Sequence, residues 1–114
     1  MDKIRHFKLH NSGAFVAHMI VEWAGYDSKG DEKRGKYEPK GYHDICAAAE
    51  RTIDLKDNTG IPNGAIVTLH ASVVAGKGKT ADESFTYDEN CGNMAEYDIS
   101  GTTLINKLKL KRYN

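Results

Sequence analysis

Several aromatic side chains lie around one long polar segment of this sequence. Trp23 ends a run of apolar residues, and residues 24–41 contain four glycines and many charged residues. Tyr26 and Tyr37 lie within this segment, and Tyr42 follows it. Aromatic rings with one solvent-facing edge suit sugar faces, lipid headgroups and protein partners. We therefore interpret all four aromatic residues as candidate ligand-binding residues; capping of one end of the fold is the alternative role for the tyrosines.

Basic residues alternate with leucines near the C-terminus. Lys107, Lys109 and Lys111 flank Leu108 and Leu110. On a strand, the leucines would face the core and the lysines would line an edge or an outer face. The lysines join the candidate ligand-binding set because they can contact lipid phosphates or an acidic partner. Lysines on an edge strand also block unwanted pairing with other chains, and this alternative stays open.

Three histidines are the strongest candidates for metal ligands. If residues 4–23 form a hairpin, His6, His10 and His18 share its outer face within side-chain reach of one another. Three imidazoles on a sheet could hold zinc or copper. Lys8 would lie between them, however, and an ammonium group disfavours a cation. We therefore expect a polar, solvated face, with no metal site and no cofactor.

The sequence lacks the local signatures of common catalytic sites. It contains no G-x-S-x-G elbow, no H-E-x-x-H helix motif and no paired-carboxylate pattern. The segment Gly76–Thr80 ends like a phosphate-binding loop, but Val73 occupies the position where that motif needs its first glycine. These observations predict a protein that is not an enzyme.

The charge balance and the two cysteines restrict which binding partners and which disulfide bonds the sequence predicts. Lys and Arg total 16, as do Asp and Glu, so the formal net charge is zero. Nucleic-acid binding needs a basic excess, and we expect no nucleic-acid partner. A neutral surface weakens self-repulsion and permits a homo-oligomer. Cys46 and Cys91 are too far apart for a C-x-x-C motif; we expect two free thiols, with a disulfide as the alternative outside reducing compartments.

The scaffold signal is strongest in residues 15–23, FVAHMIVEW. Its odd-numbered residues are all apolar, whereas His18 and Glu22 occupy even positions. Alternate residues of a strand point to opposite faces, so this pattern predicts a central β-strand with Trp23 on the core side. A loop at residues 12–14 would pair it with the strand Ile4–Asn11, placing Leu9 opposite Ala17.

Further strands follow along the chain. Residues 24–41 form a long loop or a hairpin that turns near Gly30. We predict the remaining strands at Tyr42–Cys46, Arg51–Leu55, Ala65–Ala75, Ser84–Asp88 and in a last hairpin over residues 95–110. A two-residue loop at Gly101–Thr102 would place Ile99 opposite Leu104 in that hairpin.

These elements predict an all-β protein: one antiparallel β-sandwich, or a small barrel, of about seven or eight strands over residues 1–114. No apolar run reaches the ~20 residues that span a bilayer, and the N-terminal residues lack a signal-peptide core. We therefore expect a chain that is cytoplasmic as made, that has already lost a signal, or that is released by another route.

Three functional hypotheses fit this sequence. The first is a non-enzymatic binding module that contacts a membrane surface or a receptor through the Tyr26–Tyr42 loop, in the manner of a small membrane-active toxin. The second is a lectin that binds a glycan through the same loop. The third is a structural protein that self-assembles.

Overall fold

The computed structural model describes all 114 residues, which form ten β-strands in two sheets. The strands are β1 (Lys3–Ile4), β2 (His6–Asn11), β3 (Ala17–Tyr26), β4 (Glu32–Tyr37), β5 (Glu50–Asp54), β6 (Ile66–Val73), β7 (Lys79–Thr80), β8 (Phe85–Tyr87), β9 (Met94–Gly101) and β10 (Asn106–Tyr113). Only β1 and β7 have as few as two residues, so eight strands are longer. The predicted all-β sandwich is confirmed. The fold contains no helix capable of crossing a bilayer.

The two sheets differ in strand order. The first sheet runs β1-β8-β6-β3-β4, with β7 also paired to β6, and the second runs β10-β9-β2-β5. Most neighbours are antiparallel, but β1 pairs with β8 and β2 pairs with β9 in parallel. The sandwich is therefore mixed rather than wholly antiparallel, with one parallel pair in each sheet.

Strand β3 occupies the centre of the first sheet, as its alternating pattern predicts. It lies between β4 and β6. Ala17, Met19 and Val21 are buried, whereas His18 and Glu22 on the opposite face are half-exposed. Strand β6 repeats this alternation with four buried residues. Period-two burial on both strands gives the first sheet one dry face.

Both sheets contribute to one core of 22 buried residues. Phe7 of β2 packs edge-to-face on Phe85 of β8, with ring centroids 6.1 Å apart. Phe7 also contacts Tyr97 of β9, at 6.2 Å. Burial in this apolar core raises the pKa of the Tyr97 hydroxyl, and a hydrogen bond to Glu83 adds to the effect. Such aromatic pairs stabilise the core beyond their buried area.

The predicted first hairpin is wrong. Strands β2 and β3 belong to different sheets, and β2 pairs with β5 and β9. Leu9 therefore lies opposite Arg51 and Tyr97 rather than Ala17. The inward pattern of side chains is the same whether two successive strands pair or face each other across a core, so alternation alone does not distinguish these arrangements.

The predicted register of the last hairpin is also wrong. Gly101 pairs with Asn106, and Ile99 lies opposite Leu108, so the connecting loop has four residues, 102–105. The backbone and hydroxyl of Thr102 both donate to the Ile105 carbonyl and close this loop. Leu104 consequently lies on the surface and not in the core.

Two further segments differ in how well they were predicted. Residues 24–41 do contain a hairpin: β3 and β4 pair, and Gly30 adopts a positive φ of 81° in the turn between them. The predicted strand at Tyr42–Cys46 is wrong, since only an isolated bridge between Ala17 and Ile45 forms there.

Candidate functional site

Four connections meet at one end of the sandwich, which we call the base. They are residues 12–16 after β2, 45–49 before β5, 74–78 after β6 and 102–105 after β9. Strands β2, β6 and β9 end at the base, and β3, β5 and β10 begin there. The turn between β3 and β4 lies at the opposite end, which we call the far end.

Backbone hydrogen bonds join the loops of the base to one another. The Val74 amide donates to the Val16 carbonyl at 3.0 Å, and the Lys77 amide donates to the Thr103 carbonyl at 2.8 Å. A Cβ atom added at Gly76 would collide with the Thr103 carbonyl, so only glycine permits this close approach. The 74–78 and 102–105 loops are therefore held side by side.

A buried asparagine fixes these same two loops. The Asn106 side-chain amide donates to the Lys77 carbonyl at 2.9 Å and, with longer bonds, to the carbonyls of Thr102 and Thr103. Only the NH2 group of this side chain is paired, since its buried Oδ1 has no partner, so the NH2 hydrogen bonds are what favour this arrangement of the loops. The base is thus a rigid surface by its own contacts.

The two adjacent loops expose aliphatic side chains. Leu104 is 62% exposed, Ile105 80% and Val74 49%. Single exposed apolar residues are ordinary on protein surfaces, but a group on joined loops marks an interaction site. Lys77 and Lys107 are exposed at the edges of this group. The base therefore presents an apolar tip, formed by Val74, Leu104 and Ile105, with cationic groups beside it.

The aromatic residues predicted as ligand contacts do not form one surface. Trp23 is half-buried, and its ring packs against Gly35 on the neighbouring strand. Tyr37 is half-buried against the core. Tyr26 is 67% exposed but lies at the far end, whereas Tyr42 is 74% exposed in the connection that leads to the base. The structure therefore separates Tyr26 from Tyr42.

Tyr42 has its own neighbours near the base. The Arg51 guanidinium lies 5.3 Å from the centre of the Tyr42 ring, within the range of a cation–π contact. A hydrogen bond with the Cys46 thiol raises the pKa of the Tyr42 hydroxyl. Both cysteines are free, Cys46 near the base and Cys91 near the far end.

The predicted lysines lie on an edge strand. Lys107, Lys109 and Lys111 are exposed on β10, the outermost strand of the second sheet. Leu108 and Leu110 pack against the core. Lys107 directly follows the loop 102–105 and its apolar tip residues, whereas the other two lie progressively further along the strand. The lysines thus line the edge of the second sheet, and Lys107 also adjoins the apolar tip.

The predicted arrangement of the histidines is wrong. His6 and His10 lie on β2 in the second sheet, but His18 lies on β3 in the first. On the face of the second sheet, His10 contacts Asp98 at 2.9 Å, and Lys8 contacts Glu50 at 2.7 Å. These local side-chain contacts explain why polar residues cover that face.

Sequence reasoning missed Val74, Leu104 and Ile105. A signal for two of them exists, since Leu104 and Ile105 are adjacent apolar residues and interrupt the alternation of the last hairpin. An interrupted alternation in a hairpin indicates a loop position.

The fold is shared with solved toxin structures. Listeriolysin O superposes with a TM-score of 0.53 at 20% identity, covering 96% of this chain. A structure described as a Gram-negative toxin gives 0.52 at 20% identity over 93%. Pneumolysin, described as a sugar-binding protein, gives 0.51 at 23% identity over 96%. This chain spans 22% or 23% of the length of these proteins.

A likeness at this level of identity shows a common β-sandwich fold. No protein-family model matches the sequence. No curated protein is significantly similar to it.

Proposed function

We propose that this domain is a non-enzymatic membrane-binding module that contacts lipid through its base. The single observation that carries this proposal is the apolar tip, Val74, Leu104 and Ile105, on two loops that are hydrogen-bonded to each other. Exposed aliphatic groups on these two loops can enter the boundary between headgroups and acyl chains without unfolding any strand. The proposed contact surface is therefore the base, rather than the loop that carries Tyr26 and Tyr42.

The expected affinity is modest. Full burial of a Val, Leu or Ile side chain contributes about 1.5–3 kcal/mol, so three partly exposed residues contribute roughly 3–6 kcal/mol. Each lysine near an anionic surface adds about 1 kcal/mol. The sum corresponds to a dissociation constant of roughly micromolar to millimolar order. Stable attachment would therefore rely on several copies or on a second contact.

The shared fold supports a toxin-like role for this module. One of the superposed structures is described as a toxin, and the likeness covers nearly all of this chain. The same proposal includes self-association of the chain and contact with a receptor at the membrane. Light scattering at high concentration, with and without vesicles, measures the first of these directly.

Glycan binding is the second candidate function. A cleft of about 360 Å³ beside the base is lined in part by Tyr42, Glu50 and Arg51. An exposed aromatic face next to charged hydrogen-bonding groups is suited to a sugar ring. The superposed pneumolysin structure is described as a sugar-binding protein. A glycan array on which the unmodified chain binds no glycan would exclude this candidate. Glycan binding that Tyr42→Ala leaves unchanged would exclude this cleft as the site.

Co-sedimentation with neutral and anionic liposomes tests membrane binding. We expect the double variant Leu104→Ser/Ile105→Ser to bind at least about 30-fold more weakly, since it loses more than ~2 kcal/mol of apolar burial. The matched control is Ile66→Ser/Tyr26→Ser, which removes two exposed apolar side chains away from the base.

The two double variants distinguish the base from general surface hydrophobicity. The control should bind like the unmodified chain. Equal losses in both variants, or no liposome binding by the unmodified chain, would overturn the proposal.

A further inference from the structure

Two histidines and two carboxylates converge where the connection after β4 crosses the outer face of β3. His18 lies on β3, and Glu38, His43 and Asp44 lie on the connection. The two imidazole rings are 4.5 Å apart between centroids. One ligand atom from each of His18, Glu38 and His43 lies within 4.8 Å of the other two.

The hydrogen bonds of His43 show that its ring is set up to hold positive charge. Nδ1 lies 2.7 Å from the Gly41 carbonyl, and Nε2 lies 2.7 Å from a Glu38 carboxylate oxygen. Both oxygens accept hydrogen bonds, but a neutral imidazole has only one N–H group. With its hydrogen on Nδ1, His43 therefore directs an Nε2 lone pair at a carboxylate unless a proton or a metal ion lies there.

The ring of His18 is held in a similar way. Its Nε2 lies 2.5 Å from an Asp44 carboxylate oxygen. Nε2 of His18 and Nε2 of His43 therefore both face carboxylate oxygens, and the two rings lie beside each other. A single divalent cation would bind both imidazoles and the carboxylate of Glu38.

We propose that His18, Glu38 and His43 bind one divalent transition-metal ion, with zinc as the probe. Zinc binds imidazole nitrogen and carboxylate oxygen at about 2.0–2.2 Å, which puts tetrahedral ligand atoms about 3.3 Å apart. Small rotations of side chains bring three atoms from within 4.8 Å to that spacing. Calcium and magnesium prefer all-oxygen shells and do not match this donor set.

The surroundings supply the outer contacts that such sites need. The Gly41 carbonyl accepts from Nδ1 of His43, which fixes the tautomer and leaves Nε2 for the metal. Asp44 stands beside His18 and adds negative charge. Both histidine side chains are about one-fifth exposed, and Glu38 is more open, so an ion can enter from solvent.

A bound ion would tie the connection between β4 and β5 to the central strand. This connection also carries Tyr42 and Cys46. The isolated bridge from Ile45 to Ala17, the contact of Asp44 with His18 and the packing of the His43 ring beside His18 join it to β3. The ion would therefore stabilise the segment that leads to the base. This inference does not depend on membrane binding, because metal binding is measured without lipid.

Isothermal titration with ZnCl₂, on a chain in which Cys46→Ser and Cys91→Ser remove thiol ligands, tests the site. We expect one zinc ion per chain and a rise in melting temperature on zinc addition, with no such rise from MgCl₂ or CaCl₂. His18→Gln and His43→Gln should each weaken zinc binding at least about tenfold. Glu38→Gln, at an exposed position, tests the third ligand without disturbing a strand.

The matched control is His10→Gln. His10 also contacts a carboxylate, that of Asp98, but it lies in the other sheet and has no second imidazole beside it. Zinc affinity should be unchanged in this variant. The proposal is overturned if the thiol-free chain binds no zinc at 100-micromolar order and pH 7.5, or if the double variant His18→Gln/His43→Gln binds as well as its parent.

Discussion

Asn11 shows how one buried polar side chain can direct the path of the chain. It follows Phe7 and Leu9 in the inward row of β2 and is completely buried. Its amide donates to the Phe15 and Ile45 carbonyls at 2.7 and 2.9 Å, and its carbonyl oxygen accepts from the Gly13 amide. These three bonds hold the crossing from the second sheet to the first.

Replacement of Asn11 by Ala should destabilise the fold strongly. The change leaves the Phe15 carbonyl and the Gly13 amide without partners, at about 1–3 kcal/mol for each group that water does not reach, whereas the Ile45 carbonyl keeps the Ala17 amide. We expect the free energy of unfolding, measured by urea titration, to fall by about 2–4 kcal/mol. Asn90→Ala, at an exposed position, is the control and should change it by less than ~0.5 kcal/mol. A loss below ~1 kcal/mol for Asn11→Ala would contradict this role.

At the scale of elements, Arg5 marks the point where the chain changes sheets. Strand β1 pairs with β8 in the first sheet, and β2 begins in the second sheet one residue later. The Arg5 guanidinium donates two hydrogen bonds, at 2.9 and 2.8 Å, to the carboxylate of Asp54 at the end of β5. The pair thus joins the crossover to the edge strand of the second sheet.

This ion pair predicts a pH-dependent stability. The hydrogen bond from Arg5 lowers the pKa of Asp54 from 3.8 to about 2. Since the folded-state pKa is the lower one, the stabilisation is present above about pH 4 and is lost as pH falls through about 2. The carboxylate is about one-third exposed, which reduces the expected contribution to about 1–2 kcal/mol.

Urea titrations from pH 5 to pH 2 measure this contribution. The difference in unfolding free energy between the unmodified chain and Asp54→Asn should shrink by about 1–2 kcal/mol over that range. Asp57→Asn, at an exposed position three residues after Asp54, supplies the control profile. Parallel profiles for the unmodified chain and Asp54→Asn would show that the pair does not contribute.

At the scale of the whole molecule, the two ends of the sandwich differ. The base carries the apolar tip and Cys46, whereas the far end carries the Tyr26 turn and Cys91. The formal net charge is zero, so no net charge attracts the whole molecule to an anionic surface, and the proposed contact with lipid depends on the local surface of the base.

The two native cysteines make the difference between the two ends measurable. An environment-sensitive fluorophore on Cys46, in a Cys91→Ser chain, should shift its emission to the blue when liposomes are added, because the base enters a less polar region. The same fluorophore on Cys91, in a Cys46→Ser chain, should not shift. Equal shifts at both positions, or a Cys46 shift that persists in Leu104→Ser/Ile105→Ser, would exclude attachment through the base.

The sequence alone determined the strands of the core. Alternation in residues 15–23 and 65–75 predicted β3 and β6 and their buried faces, because period-two burial is a local property of an extended chain. Alternation in residues 107–111 likewise predicted that the lysines face away from the core, but it left open whether they line an edge or an outer face.

Tertiary structure decided which strands are neighbours and which surfaces result. Pairing of β2 with β9 joins residues about 90 positions apart, and the meeting of His18 with His43 depends on the path after β4. The exposure of Leu104 depends on a buried Asn106 that binds a loop of another hairpin. Such contacts are long-range, and a local residue pattern does not specify which distant residue forms the contact.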